Sequence, residues 1–278
     1  MDNLSAVSET ALITLKARIA ESEKSKPVIE DEVASVCFNR LRPLLPDQLR
    51  NRLTDRALPL TLTRYIALRA RKYDRRTAQF LKDNTDGLVV SLGCGFDTRY
   101  WRVAKEPWKY IEIDLPNVIE LKKKVLGDLA TYTMIGCSVL EEGWIEKVLS
   151  VQKEHVLFLA EGLFMYLPKD GVMNLFRRLS QSFSRSEIMF EAVNEKYTKG
   201  LWKRMVMSKM GTLGTQAGSS YNFGIRDARD IEAYADNIRV MEEWSYLEDE
   251  AVAPGILRSL RSFRLLSRTQ WTIRAAIG

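Results

Sequence analysis

Three short apolar runs end in residues able to do chemistry. Val89-Val90-Ser91-Leu92 leads into Gly93-Cys94-Gly95-Phe96-Asp97-Thr98. Two glycines one residue apart permit a tight turn and let a ligand lie against bare backbone. Thr98 stands where a dinucleotide fingerprint has its third glycine, which argues against a nicotinamide cofactor. Tyr110-Ile111-Glu112-Ile113-Asp114 delivers a carboxylate 21 residues after Gly93, and an acid at that place can accept both hydroxyls of a ribose. Asp114 also suits the cap of a helix opening at Leu115-Pro116, and the two roles are compatible. Phe158-Leu159-Ala160-Glu161-Gly162 brings a third acid out of an apolar segment. Such a carboxylate is costly without a partner, so Glu161 belongs to a ligand site or to a structural ion pair. Tyr166, Glu191 and Asn194 fall near the ends of apolar runs and are candidates for a second substrate's pocket; no residue is assigned a proton-transfer role.

These residues need a scaffold that gathers strand ends. Short apolar runs occur at Leu88–Leu92, Tyr110–Ile113, Tyr132–Cys137, Val156–Ala160, Ile188–Val193, Val240–Leu247 and Trp271–Ile277. Most are separated by enough chain for a helix, which predicts an α/β fold: a mostly parallel, seven-stranded sheet with helices on both faces and one antiparallel edge. In such sheets ligands bind beyond the carboxyl ends of the strands. The first 82 residues read as a helical cap: an apolar stripe through Ala11, Leu12, Leu15 and Ile19, a helix near Asp31–Leu41, a stretch broken by Pro43, Pro46 and Pro59, and a helix over Thr61–Lys82. Residues 83–278 read as the sheet-bearing core, the whole chain forming one domain with a lid at about 195–224. That lid holds Tyr197, Trp202, Met205, Met207 and Met210 before a Gly/Ser/Thr-rich stretch, a composition suited to an adaptable apolar cover.

Composition narrows the class. The 278 residues carry 42 Lys+Arg against 36 Asp+Glu, and 46% are hydrophobic, values of an ordinary globular chain. No apolar run approaches the ~20 residues of a membrane span, and no secretory signal opens the sequence. With three cysteines and one histidine, a cytoplasmic location is expected, with no metal site. The basic clusters at Arg69/Arg71/Lys72/Arg75/Arg76, Lys122–Lys124 and Arg258/Arg261/Arg264/Arg268 read chiefly as solvated faces, with an acidic partner as the alternative. Nucleic-acid-binding patterns are missing. His155 precedes its strand and so belongs at the end of the sheet away from the ligand edge, and Cys94 reads as a small filler in the glycine turn.

The combined motifs resemble the leucine carboxyl methyltransferase superfamily, in particular its bacterial branch of polyketide O-methyltransferases. The resemblance runs through Thr10-Ala11-Leu12, Asp31-Glu32, Leu68-Arg69-Ala70-Arg71-Lys72-Tyr73-Asp74, Leu92-Gly93-Cys94-Gly95-Phe96-Asp97-Thr98-Arg99, Ile113-Asp114-Leu115-Pro116 and Glu161-Gly162-Leu163-Phe164-Met165-Tyr166-Leu167-Pro168. It covers roughly residues 5–250. It implies a Rossmann-like class I fold, S-adenosyl-L-methionine as cofactor and a small-molecule hydroxyl or carboxyl as methyl acceptor. A protein carboxyl terminus as acceptor and a non-catalytic binding protein are the alternatives. By the resemblance, Arg71 pairs with the methionine carboxylate, Gly93 and Gly95 lie under the cofactor, Asp114 holds the ribose hydroxyls, Glu161 faces the methionine end, and Leu115, Ser138 and Val139 also belong to the cofactor site. The family usually has Asp-Leu after the third strand to meet the adenine amino group; here Ser138-Val139 stands in that place. A serine reaches less far and carries no charge.

Overall fold

The apolar runs around residues 88 and 156 become strands β1 (Leu88–Leu92) and β4 (Val156–Ala160), buried at every position and paired in parallel at the centre of the sheet. Burial on both faces is what helices on either side of a parallel sheet require. The computed structural model describes residues 6–55, 57–104, 107–204, 221–252 and 268–278. The other strands are β2 (Tyr110–Asp114), β3 (Thr133–Gly136), β5 (Ser186–Val193), β6 (Ile238–Trp244) and β7 (Gln270–Ile277). Their order is β3-β2-β1-β4-β5-β7-β6. Strands β1 to β5 run parallel, and β7 is antiparallel to both β5 and β6.

The pleat sorts the core. Leu88, Val90, Leu92, Phe158 and Ala160 join one apolar cluster with Trp144 and Phe176; Val89, Leu157 and Leu159 join the other with Tyr73 and Phe80. Alternate residues of a strand point to opposite faces, so each run supplies both layers. Helices α7 (Gly143–Leu149) and α8 (Lys169–Ser182) cover the first face, and the long α4 (Leu60–Asp83) covers the second.

Helices α1 (Ala6–Ser22), α2 (Glu32–Leu41) and α3 (Asp47–Asp55) precede α4. The Asp31 carboxylate caps α2 by accepting from the Ala34 amide at 3.1 Å, the expected use of an acid at that position. Helix α3 occupies part of the stretch expected to be broken by prolines. It starts directly after Pro46, a place where proline costs no helical hydrogen bond. Pro116 likewise opens α6 (Pro116–Leu126), while the short α5 (Arg99–Val103) follows the glycine turn.

Four of the five cations in the basic cluster of α4 are paired internally. Arg69 pairs with Glu161 and Glu191, Arg71 with Asp249, Lys72 with Glu242, and Arg76 with Glu187. Lys122, expected in a surface cluster, is fully buried against Glu112. Arg258, Arg261 and Arg264 lie outside the described residues, as do Met205, Met207, Met210 and the glycine-rich part of the expected lid. Where the chain is described again, Tyr221 packs on Tyr166 and the Asn222 amide donates to the Met165 carbonyl at 2.7 Å.

Candidate functional site

A cleft opens at the carboxyl ends of β1, β2 and β4, lined by the glycine turn, Asp114, Glu161 and, from above, Thr10, Ala11, Thr14 and Arg18 of α1. Both glycines of the turn are left-handed, Gly93 at φ +62° and Gly95 at +48°. A Cβ on Gly93 would lie 2.7 Å from Leu163 Cδ1, and one on Gly95 would lie 2.9 Å from Ala11 Cβ. Backbone strain and close packing thus both select glycine here.

The Asp114 side chain is locked by this turn. Its Oδ2 accepts from the Gly95 amide and its Oδ1 from the Leu115 amide, each at 2.7 Å. Burial raises its pKa, and these two amides offset the effect only in part. Leu115 sits at the rim, 38% exposed.

Glu161 and Asp97 join a buried ionic mesh. Arg99 reaches Asp74 at 2.8 Å and both Asp97 and Glu161 at 2.5 Å. Arg102 pairs with Asp74, Asp97 and Asp31, and Asp31 also holds Arg18 and the Thr98 hydroxyl. Thr98 stands at the helix-cap position of α5, but its hydroxyl donates to Asp31 and accepts from Arg102 and does not cap the helix backbone. Burial pushes Glu161 up; Arg69 and Arg99 outweigh it and hold the carboxyl below its ordinary range.

Behind Gly162 lies Glu191, 1% exposed. Its Oε1 accepts from Tyr65 at 2.7 Å and from Gln270 at 3.1 Å, and Arg69 Nη1 lies 2.9 Å from Oε2. Burial raises its pKa despite Arg69. Tyr166 lines the cleft with Gln270 and Met165; burial pushes its phenol up to about 12.

The expectation for Arg71 is not met. Arg71 points away from the cleft to Asp249 at 2.5 Å, and Arg69 lines the cleft in its place. Successive helical residues turn by about 100°, so two positions two apart face nearly opposite ways. The sequence held the signal: Ile66, Arg69, Ala70, Tyr73, Thr77 and Phe80 form one buried stripe, and Arg71 lies off it. Asn194 also falls outside the cleft lining: its side chain accepts from the Lys196 amide and caps a short helical turn. Val139 is buried with its carbonyl taken by Trp144, and Ser138 is engaged in its own turn at the β3 exit. His155 lies at the opposite end of the sheet, its carbonyl accepting from the Leu88 amide. Sequence reasoning missed Arg69, Arg18 and Gln270, which arrive from the cap and from the last strand.

This strand order, with a cleft over the glycine turn, is that of the class I S-adenosylmethionine-dependent methyltransferases. A solved magnesium protoporphyrin IX methyltransferase of Synechocystis, crystallised with bound SAH, shares the fold at a TM-score of 0.50 and 14% identity, over 88% of this chain and 95% of that one. The family model for leucine carboxyl methyltransferase matches residues 11–180. The tetracenomycin polyketide synthesis O-methyltransferase of Streptomyces glaucescens is 31% identical over 90% of this chain and 87% of its own length. An S-adenosyl-L-methionine-dependent methyltransferase of Gibberella zeae is 29% identical over 89% of this chain and 85% of its own. The chain belongs to the leucine carboxyl methyltransferase family, and its cofactor is S-adenosylmethionine.

Proposed function

We propose that the chain transfers the cofactor's methyl group to an oxygen of a small-molecule acceptor entering beside Tyr166 and Gln270. The observation that carries this reading is the juxtaposition, in one cleft, of the Gly93–Gly95 turn, Asp114 and the Arg69–Glu161 pair with an adjoining Tyr166/Gln270 wall. The Streptomyces relative, an O-methyltransferase of polyketide synthesis, supports oxygen as the acceptor atom.

The residues fit the cofactor. The turn that lines the cleft admits no Cβ at 93 or 95, where it would press on Leu163 and Ala11, and the Asp114 carboxylate has lone pairs left for two ribose hydroxyls. Arg69 donates Nε to Glu161 at 2.8 Å, while its Nη2 has no hydrogen-bond partner among the described residues. That donor suits the methionine carboxylate; Glu161 and Asp97 suit the neighbouring ammonium.

When bound, S-adenosylmethionine supplies an electrophilic methyl on a sulfonium, so the driving force comes with the cofactor. The protein's task is alignment and exclusion of water. The mesh around Arg99 fixes Glu161; Glu191, held by Tyr65 and Gln270, fixes Arg69 from behind. Tyr166 and Gln270 offer hydrogen bonds to an acceptor oxygen. A carboxylate acceptor needs no base at neutral pH, whereas a phenol near pKa 10 must lose its proton. The test is to incubate the protein with methyl-labelled cofactor and a panel of phenols, polyketide-like phenolic acids and carboxylic acids. Amines and thiols are included in the same panel; labelled methyl ethers or esters carry the reading, and cofactor binding with label only on the amines or thiols overturns it.

A further inference from the structure

The departure at Ser138 has a structural answer three residues on. Strand β3 lies beside β2 with Asp114 opposite Gly136, and the Cys137 amide donates to the Asp114 carbonyl at 2.8 Å. Neighbouring strands are ~4.8 Å apart. A nucleoside whose ribose is held at Asp114, the reading on which this inference rests, therefore carries its base over the exit of β3. Adenine brings a 6-amino donor to that edge.

The acceptors on offer there are few. The Ser138 hydroxyl already accepts from the Leu140 amide at 3.2 Å. The turn closes with the Glu141 amide donating to the Ser138 carbonyl at 3.0 Å. The Glu141 side chain then folds back so that Oε1 accepts from the Ser138 amide at 3.2 Å. Its Oε2 accepts no hydrogen bond from any described residue. A carboxylate is thus pinned beside residue 138, although residue 138 is itself uncharged, and an ionised acceptor outcompetes a hydroxyl for an N–H donor. Cys137, beside it, offers only a weak sulfur acceptor.

We propose that Glu141 is the specificity-determining acceptor for the adenine 6-amino group, its carboxylate folded back onto Ser138 supplying the charge that an acid at position 138 would otherwise provide.

The test is calorimetric titration of the full chain with S-adenosylhomocysteine and with S-inosylhomocysteine, which has an oxygen in place of the 6-amino group. The wild type is expected to prefer the adenosyl ligand by about tenfold or more, the scale of a hydrogen bond to a charged group. Glu141→Ala should lose most of that preference through weaker adenosyl binding while inosyl affinity holds. Glu141→Gln, which keeps a carbonyl acceptor, should retain part of it, and Ser138→Ala should leave it intact. Unchanged selectivity in Glu141→Ala, an equal loss for both ligands, or collapse of selectivity in Ser138→Ala would each overturn the proposal. A wild type that binds neither ligand would overturn the underlying site reading instead.

Discussion

Arg69 and Arg71 are two residues apart on one helix and do unrelated work. Arg69 is 7% exposed and bridges Glu161 to Glu191, while Arg71 is tied to Asp249 on the far side. Arg69→Lys keeps the charge but loses the fork, so S-adenosylhomocysteine binding should weaken by about 1.5–3 kcal/mol. Arg71→Ala should leave binding unchanged. Calorimetric titration decides, and the reverse ranking would sink the site map. Gly93 gives a second check at this scale. Gly93→Ala forces a side chain into the left-handed region, which costs about 1–3 kcal/mol, and presses its Cβ on Leu163. Chemical unfolding should show the loss, and cofactor titration should show reduced affinity.

The elements are joined by charges buried between them. Asp31 caps α2 and holds Arg18 of α1, Thr98 of the glycine turn and Arg102 of α5. Burial pushes its carboxyl up, but Arg102 and Arg18 prevail and set it below its ordinary value. A depressed carboxyl stabilises the fold at pH values above its unfolded pKa of about 3.9, and that contribution fades as pH falls through the folded value. Asp31→Asn should therefore cost about 3–5 kcal/mol at pH 7, the cost of breaking a buried pair. The gap between the melting curves of wild type and variant should narrow on acidification below about pH 4. A gap independent of pH would refute the charge argument. At the seam of α6 and β2, Lys122 and Glu112 are both fully buried. Lys122→Met alone leaves the Glu112 carboxylate uncompensated and should cost about 3–5 kcal/mol by urea unfolding. Adding Glu112→Leu should recover much of it, since an apolar pair of similar volume needs no charge compensation.

At the scale of the whole molecule, much of the fold was written in local pattern. The runs 88–92 and 156–160 gave their strands directly because strands buried on both faces are uninterrupted apolar segments. Asp114 and Glu161 were legible as site candidates because a carboxylate ending an apolar run has few uses. Pairing was harder to read. The lysine at 122 looks like its neighbours in a basic triplet until β2 presents Glu112 to it, and Lys72 and Arg76 of α4 look solvated until β6 and β5 return with Glu242 and Glu187. Gln270 entered the cleft by the same long-range route. Such partners are many residues apart, and spacing along the chain carries no trace of them.

Strand β7 lies between β5 and β6 and pairs with each along nearly its whole length. During synthesis the chain emerges in order, so β6 is made while β7, its one sheet neighbour among the described residues, is still untranslated. The parallel five-strand core can assemble first, from pairings closed by βα units, whereas the last two strands must join it together at a late stage. Nascent chains halted before residue 270 should therefore protect residues 88–193 from protease and leave 238–244 open to cleavage. Gln270, which braces Glu191 beside the cleft, arrives with that same final strand, so the side of the cleft proposed to take the methyl acceptor is assembled last.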